Sequence, residues 1–194
     1  MPPTHLLYLH GFRSSPLSAK AQRMAAHLAQ HHPHTHWWCP QLPPSPQAAM
    51  ALVVEGLRDW PRNRMVVVGS SLGGFYASWV AHRYACPSVL LNPAVDPARD
   101  LAHYIGEQSH WHRPEDRFEF RAEYIAELQA LDVRGLPATG PELAIIAKGD
   151  ELLDWREMTA RYPRAQTVLL EGGDHALSDF EAHLPTIDRF LRSL

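Results

Sequence analysis

The sequence predicts an α/β protein: a mostly parallel, doubly wound sheet of about six strands with helices on both faces. Three observations carry this. Short runs rich in Val, Leu and Ile recur along the chain, among them "HLLYLHG", "RMVVVGS" and "ELAIIAKGD". Stretches of helical period separate them. Runs that are apolar on both sides of the pleat belong to strands covered on both faces, as in a parallel sheet joined by crossover helices.

Taken in order, "HLLYLHG" (His5 to Gly11) is the first strand, followed by a helix from about Ser18 to His31. "THWWCPQL" makes a second, poorer strand, and the Pro-rich "QLPPSPQ" a rigid surface loop. A helix through "PQAAMALVVEGLRDW" leads to the strand "RMVVVGS", the helix "GGFYASWVAHRYA" and the strand "SVLLNPA". The last two strands are "ELAIIAKGD" and "AQTVLLEGG". The closing stretch "SDFEAHLPTIDRFLRSL" starts with a Ser178-x-x-Glu181 capping box, and Pro185 predicts a kink or break inside it. One segment, about 98–140, is longer than a crossover helix needs. It is expected to hold two or three short helices over the sheet's C-terminal edge, as a lid or a surface excursion.

At 194 residues the chain suits one domain, residues 1–194, with 98–140 inserted in it. The composition is 45% apolar and 20% charged with a net charge of -3, which gives nucleic acid or an anionic membrane little to attract. Cys39 and Cys86 are too few for a disulfide framework and read as reduced thiols. The start "MPPTHLLYLHGF" lacks the basic and apolar regions of a signal peptide, and no apolar run nears the roughly 20 residues of a membrane helix. The expectation is a cytoplasmic protein.

Gly69-Ser70-Ser71-Leu72-Gly73 fits G-x-S-x-G and falls between a predicted strand and a predicted helix. Read physically, Ser71 sits on a sharp strand-to-helix turn whose neighbours two positions away must lack side chains. The turn holds its hydroxyl clear of the surface, and the helix N-terminus favours negative charge developing there. The alternative is that the glycines merely pack helix on strand, with the serines as N-caps. A serine nucleophile needs a base, and the base an orienting acid. His175 in "LLEGGDHALSDF" and Asp150 in "AIIAKGDELLD" both follow predicted strands, so a parallel sheet brings them to the edge that carries Ser71. Asp154 is the rival acid, with helix capping as its other use, whereas Asp174 is too near His175 to converge on it. Oxyanion donors would be the backbone amides of Leu72 and of Phe12, in the "LHGF" loop after the first strand. His10 is read as a brace beneath that loop.

"YLHGFRSSPLSAKA", "GSSLGGFYA", "LNPAV", "GDELLDWR" and "GGDHALSDFE" together make the chain resemble, nearly end to end, the YqiA-like esterases of the α/β-hydrolase superfamily. The resemblance implies a serine esterase or thioesterase without metal or cofactor, acting on a small acyl ester or an acyl-CoA thioester. It carries Ser71 as nucleophile, Asp150 as acid and His175 as base. It weakens across the 98–140 insertion and at "HHPHTHWW". Arg13 is a candidate for attracting an anionic substrate, or else a loop cation. Trp111 and Trp155 are candidate walls of an acyl pocket, or else packing residues. The dense His31, His32, His34, His36 and Cys39 tract matches no zinc-ligand spacing and reads as a solvated loop.

Overall fold

The computed structural model describes residues 2–194. From the N-terminus come β1 (His5–Leu9), α1 (Ala19–His31), β2 (His36–Trp38), α2 (Pro46–Gly56), β3 (Met65–Ser70), α3 (Leu72–Tyr84) and β4 (Ser88–Leu91). The inserted segment holds α4 (Pro97–Asp100), β5 (Gly106–Ser109), β6 (Arg117–Phe120) and α5 (Glu123–Ala130). The chain then adds β7 (Glu142–Ala147), α6 (Trp155–Arg161), β8 (Gln166–Leu170) and α7 (Leu184–Ser193).

Six strands pair in the order β2-β1-β3-β4-β7-β8, every neighbour parallel, which makes a doubly wound sheet. Alternation along the strands divides the core in two. Leu7, Leu9, Val67, Leu90 and Ile146 face Val53, Phe75, Leu128 and Met158 from α2, α3, α5 and α6. Leu6, Tyr8, Val66, Val68 and Ile145 face Met24 and Leu28 of α1 and Ile187 and Phe190 of α7. Each such fully covered side chain contributes roughly 1.5–3 kcal/mol of burial. The winding reverses between β1 and β3: from β1 the chain crosses to β2, and from β3 it proceeds through β4 and β7. Sites in such sheets form at the strands' C-terminal ends beside the reversal, where loops diverge to opposite faces and leave a crevice.

Local chemistry sets the helix starts. Ser18 and Ser45 cap α1 and α2 by accepting from the amides of Ala21 and Ala48, and Pro46 sits in the first turn of α2, where its missing N–H costs nothing. At the C-terminus the expected capping box does not form. Asp174 takes both the amide (2.9 Å) and the hydroxyl (2.6 Å) of Ser178, while Glu181 pairs with Arg23. The chain passes through a 3-10 turn at Phe180–His183, and α7 begins at Leu184 with Pro185 in its first turn, so the proline marks a boundary.

The insertion holds short helices, as expected, and adds to them a pair of strands. Its centre is an antiparallel hairpin with Gly106 opposite Phe120 and Ser109 opposite Arg117. Alternation in Arg117-Phe118-Glu119-Phe120 drives it: Phe120 is fully buried and Phe118 packs against the core, while Arg117 and Glu119 point to water. No helix among the described residues is long and apolar enough to cross a membrane.

Candidate active site

Ser71 lies between the last residue of β3 and the first of α3, with φ 56° and ψ -122°. That is a region an L residue enters only when its surroundings force it. The forcing is visible in the backbone. A Cβ on Gly73 would lie 1.9 Å from the Leu9 carbonyl oxygen, and one on Gly69 would lie 2.1 Å from the Gly73 carbonyl oxygen. Strand β1, the turn and α3 therefore touch backbone to backbone. The turn is pinned by Ser71 N–H donating to Leu91 O (3.0 Å) and by Ala94 N–H donating to Ser71 O (3.0 Å).

Ser71 holds the N-cap position of α3, yet its hydroxyl makes no capping bond. It lies 3.0 Å from His175 Nε2 instead. On the other side of that ring, His175 Nδ1 is 2.8 Å from Asp150 Oδ2, and the Asp150 side chain is 0% exposed. A carboxylate only accepts, so Nδ1 carries the proton and Nε2 presents its lone pair to the Ser71 O–H. The second oxygen, Asp150 Oδ1, accepts from the amides of Leu152 and Leu153, both at 2.8 Å, which locks the carboxylate in one rotamer. Asp154 does something else. It caps α6 by accepting from Arg156 N–H at 2.8 Å.

The loop carrying His175 is held on every side, by residues whose part sequence reasoning missed. Asn92, fully buried, donates from Nδ2 to the carbonyls of Asp174 (3.0 Å) and His175 (3.2 Å), and its Oδ1 accepts from Ala147 N–H (2.8 Å). Glu151 Oε2 accepts from His175 N–H at 2.9 Å. Lys20, reaching over from α1, donates to Ala176 O, and burial lowers its ammonium pKa to about 8 despite the pull of Asp174 and Asp150. Asn92 sits within "LNPAV" and Glu151 within "GDELLDWR", but nothing local in either motif says which distant backbone they brace.

Leu72 is the first residue of α3, so its amide has no intrahelical acceptor. The β1 loop lies directly opposite: a Cβ on Gly11 would be 3.2 Å from Ser71 Cβ and 3.7 Å from the Ser71 hydroxyl oxygen. His10 braces this loop. Its Nδ1 donates to Gly11 O (3.0 Å) and its Nε2 accepts from Leu42 N–H (3.0 Å), while burial pushes its pKa down to about 4. The Phe12 ring packs among Tyr104, Phe118 and Phe120, at centroid distances of 5.5, 6.1 and 5.2 Å. Arg13, at φ 60°, turns to the hairpin: its Nε donates to Ser109 O (2.7 Å) and its guanidinium lies 4.1 Å over the Trp111 ring. Trp111 is 63% exposed. Trp155 opens α6 between Lys148 (5.2 Å) and Arg156 (4.7 Å). A hollow of about 660 Å³ lined by Ser78, Asp96, Arg134 and Arg161 among others contains none of the residues that meet at Ser71.

An uncharacterised protein family (UPF0227) matches residues 5–192. Among solved structures the fold is similar to that of α/β hydrolase domain-containing protein 10 from mouse, at 18% identity and TM-score 0.74, over 100% of this chain and 92% of that one. It is also similar to a metagenome-derived lipolytic enzyme of the LipS and LipT pair, at 18% identity and TM-score 0.71, over 100% and 96% of the two chains. Est1E from Butyrivibrio proteoclasticus aligns at 16% identity and TM-score 0.70, over 99% and 86%.

Proposed function

Because this chain belongs to the UPF0227 family and has the α/β-hydrolase fold, we propose that it is a serine hydrolase cleaving carboxylic esters or acyl thioesters through an acyl-enzyme on Ser71. One observation carries the reading: a hydroxyl on a strained turn, an imidazole and a buried carboxylate stand in line at 3.0 and 2.8 Å. That is the order nucleophile, base and orienting acid require. Neighbours of the same fold that are described as lipolytic enzymes and esterases support the same class of chemistry.

In the mechanism, the Ser71 oxygen attacks the acyl carbonyl as its proton passes to His175 Nε2. Negative charge gathers on the carbonyl oxygen, where the amides of Leu72 and Phe12 are the donors; one such donor is worth about 3–4 kcal/mol in transition states of this kind. His175 returns the proton to the departing alkoxide or thiolate, leaving Ser71 acylated. Water then gives a proton to Nε2 as its oxygen attacks the acyl carbon, and Ser71 recovers its proton when the acid leaves. Asp150 keeps the proton on Nδ1 and stabilises the imidazolium.

The 98–140 segment serves, in this reading, as the wall of the acyl side. Its Tyr104, Phe118 and Phe120 close around Phe12, and the Arg13–Ser109 hydrogen bond fastens the hairpin to the β1 loop. Wild-type protein should hydrolyse p-nitrophenyl acyl esters and be labelled by a fluorophosphonate on Ser71, while Ser71→Ala should do neither and keep its circular dichroism. Unchanged turnover in that variant would remove the assignment. An acyl series offered as oxygen esters and as CoA thioesters separates the two leaving groups.

A further inference from the structure

In the histidine-rich tract His31 to His36, residues His31, His34 and His36 are exposed. The fold makes a different constellation. His27 lies in the last turns of α1, His32 is its C-cap residue, and Asp188 comes from α7, which packs on the same face of the sheet. Five positions apart on a straight helix, the two histidines would point about 140° away from each other. His32 leaves the helix at φ -138° and ψ 56°, which lets its ring swing back toward Asp188.

One ligand atom from each of the three residues lies within 4.8 Å of the others. His32 Nε2 contacts Asp188 Oδ1, and His27 Nε2 lies 3.7 Å from the same oxygen. His27 Nε2 is buried, and among the described residues it has no partner at normal hydrogen-bond length, Asp188 Oδ1 standing at 3.7 Å. Arg192 Nε donates to Asp188 Oδ2 at 2.8 Å, so that oxygen is taken and Oδ1 is the one turned to the histidines. A tetrahedral zinc with bonds of about 2.0–2.1 Å sets its donors about 3.3 Å apart. The present cluster therefore needs side-chain adjustments of at most about 1.5 Å, a bound that the 4.8 Å spread gives against that geometry.

We propose that His27, His32 and Asp188 form a binding site for a divalent transition metal of zinc type, which clips the C-terminal end of α1 to α7. Two imidazoles and one monodentate carboxylate are a donor set that zinc accepts, with water completing the tetrahedron. The site is structural. Helix α1 starts after the C-terminal end of β1 and runs back toward the start of β2, so its last turn lies at the sheet edge opposite Ser71. Metal binding should leave ester hydrolysis unchanged, so the proposal stands or falls apart from the catalytic reading.

Untagged, chelator-stripped protein should bind one zinc ion per chain in equilibrium dialysis, and saturating zinc should raise Tm by about 5–10 °C. His34→Ala should bind as wild type does, and His27→Ala should bind at least 100-fold more weakly. No saturable binding to wild type, or equal binding by His27→Ala, would overturn the proposal. Cobalt(II) bound to the wild-type protein supplies a readout that needs no variant to fold. Intense visible bands of four- or five-coordinate cobalt are expected, and the weak spectrum of the aquo ion alone would end the idea.

Discussion

Replacing Asp150 by Asn is the sharpest test of the proposed chemistry, because the structure dictates how the new amide must sit. Asp150 Oδ1 accepts from the backbone amides of Leu152 and Leu153 at 2.8 Å. In Asp150→Asn only the amide oxygen can accept those bonds, so the oxygen stays there and the NH2 group falls at the former Oδ2 position, 2.8 Å from His175 Nδ1. A donor facing Nδ1 moves the ring proton to Nε2, which then offers Ser71 an N–H where a base is needed. The fold is retained and the nucleophile is not activated. Loss of the correct tautomer in triads of this type lowers kcat by about 10⁴, equivalent to about 5 kcal/mol of barrier. The assay is kcat on a p-nitrophenyl ester for wild type, Asp150→Asn and Asp154→Asn together, with thermal melts on all three. Asp154→Asn should keep kcat within about twofold and lose no more than about 1 kcal/mol from the weakened cap of α6. Asp150→Asn retaining more than about a tenth of wild-type kcat, or Asp154→Asn falling as far, would refute the reasoning.

Further outcomes are expected elsewhere. Asn92→Ala leaves the Ala147 amide and two carbonyls of the His175 loop without partners; a cost of about 3 kcal/mol, read as a Tm drop of about 6–12 °C, should come with a fall in kcat. Gly73→Ala forces a Cβ to 1.9 Å from the Leu9 carbonyl oxygen, and soluble protein with wild-type Tm would contradict the described packing of β1 on α3. His10 should make stability pH-dependent. Its pKa is about 4 in the fold, against 6.5 when unfolded, so the unfolded chain binds more protons between those values. Its contribution is then complete above pH 6.5 and lost as pH falls toward 4, up to about 3 kcal/mol for this 4%-exposed ring. Urea midpoints for wild type and His10→Gln at pH 7.5 and 4.5 should converge at the lower pH, and parallel slopes would count against the brace.

The strands and the serine turn were readable because their cause is local. Val66 to Val68 are apolar on both faces, and the glycines of G-x-S-x-G are required within a single turn. The strand pair within the insertion was illegible for a local reason too, whereas its short helices were expected. Gly106 to Ser109 carry no strand signature, so the alternation of Arg117 to Phe120 had no evident partner to pair with. The false capping box at Ser178 shows a competition that pattern alone cannot decide. Asp174 stands four residues upstream and takes the hydroxyl first.

What the chain determined by itself, then, is the order of the six sheet strands and their crossover helices, the turn that lifts Ser71, and the short list of side chains able to serve it. Which of those side chains meet was decided only in three dimensions. Asp150 and Asp154 are alike in the sequence, and one is buried against His175 while the other caps a helix in water. Asn92 bonds across 55 and 83 positions, and His32 meets Asp188 across 156. Periodicity and turn chemistry act within a few residues, whereas hydrogen bonds between loop and loop depend on how the sheet gathers its strand ends.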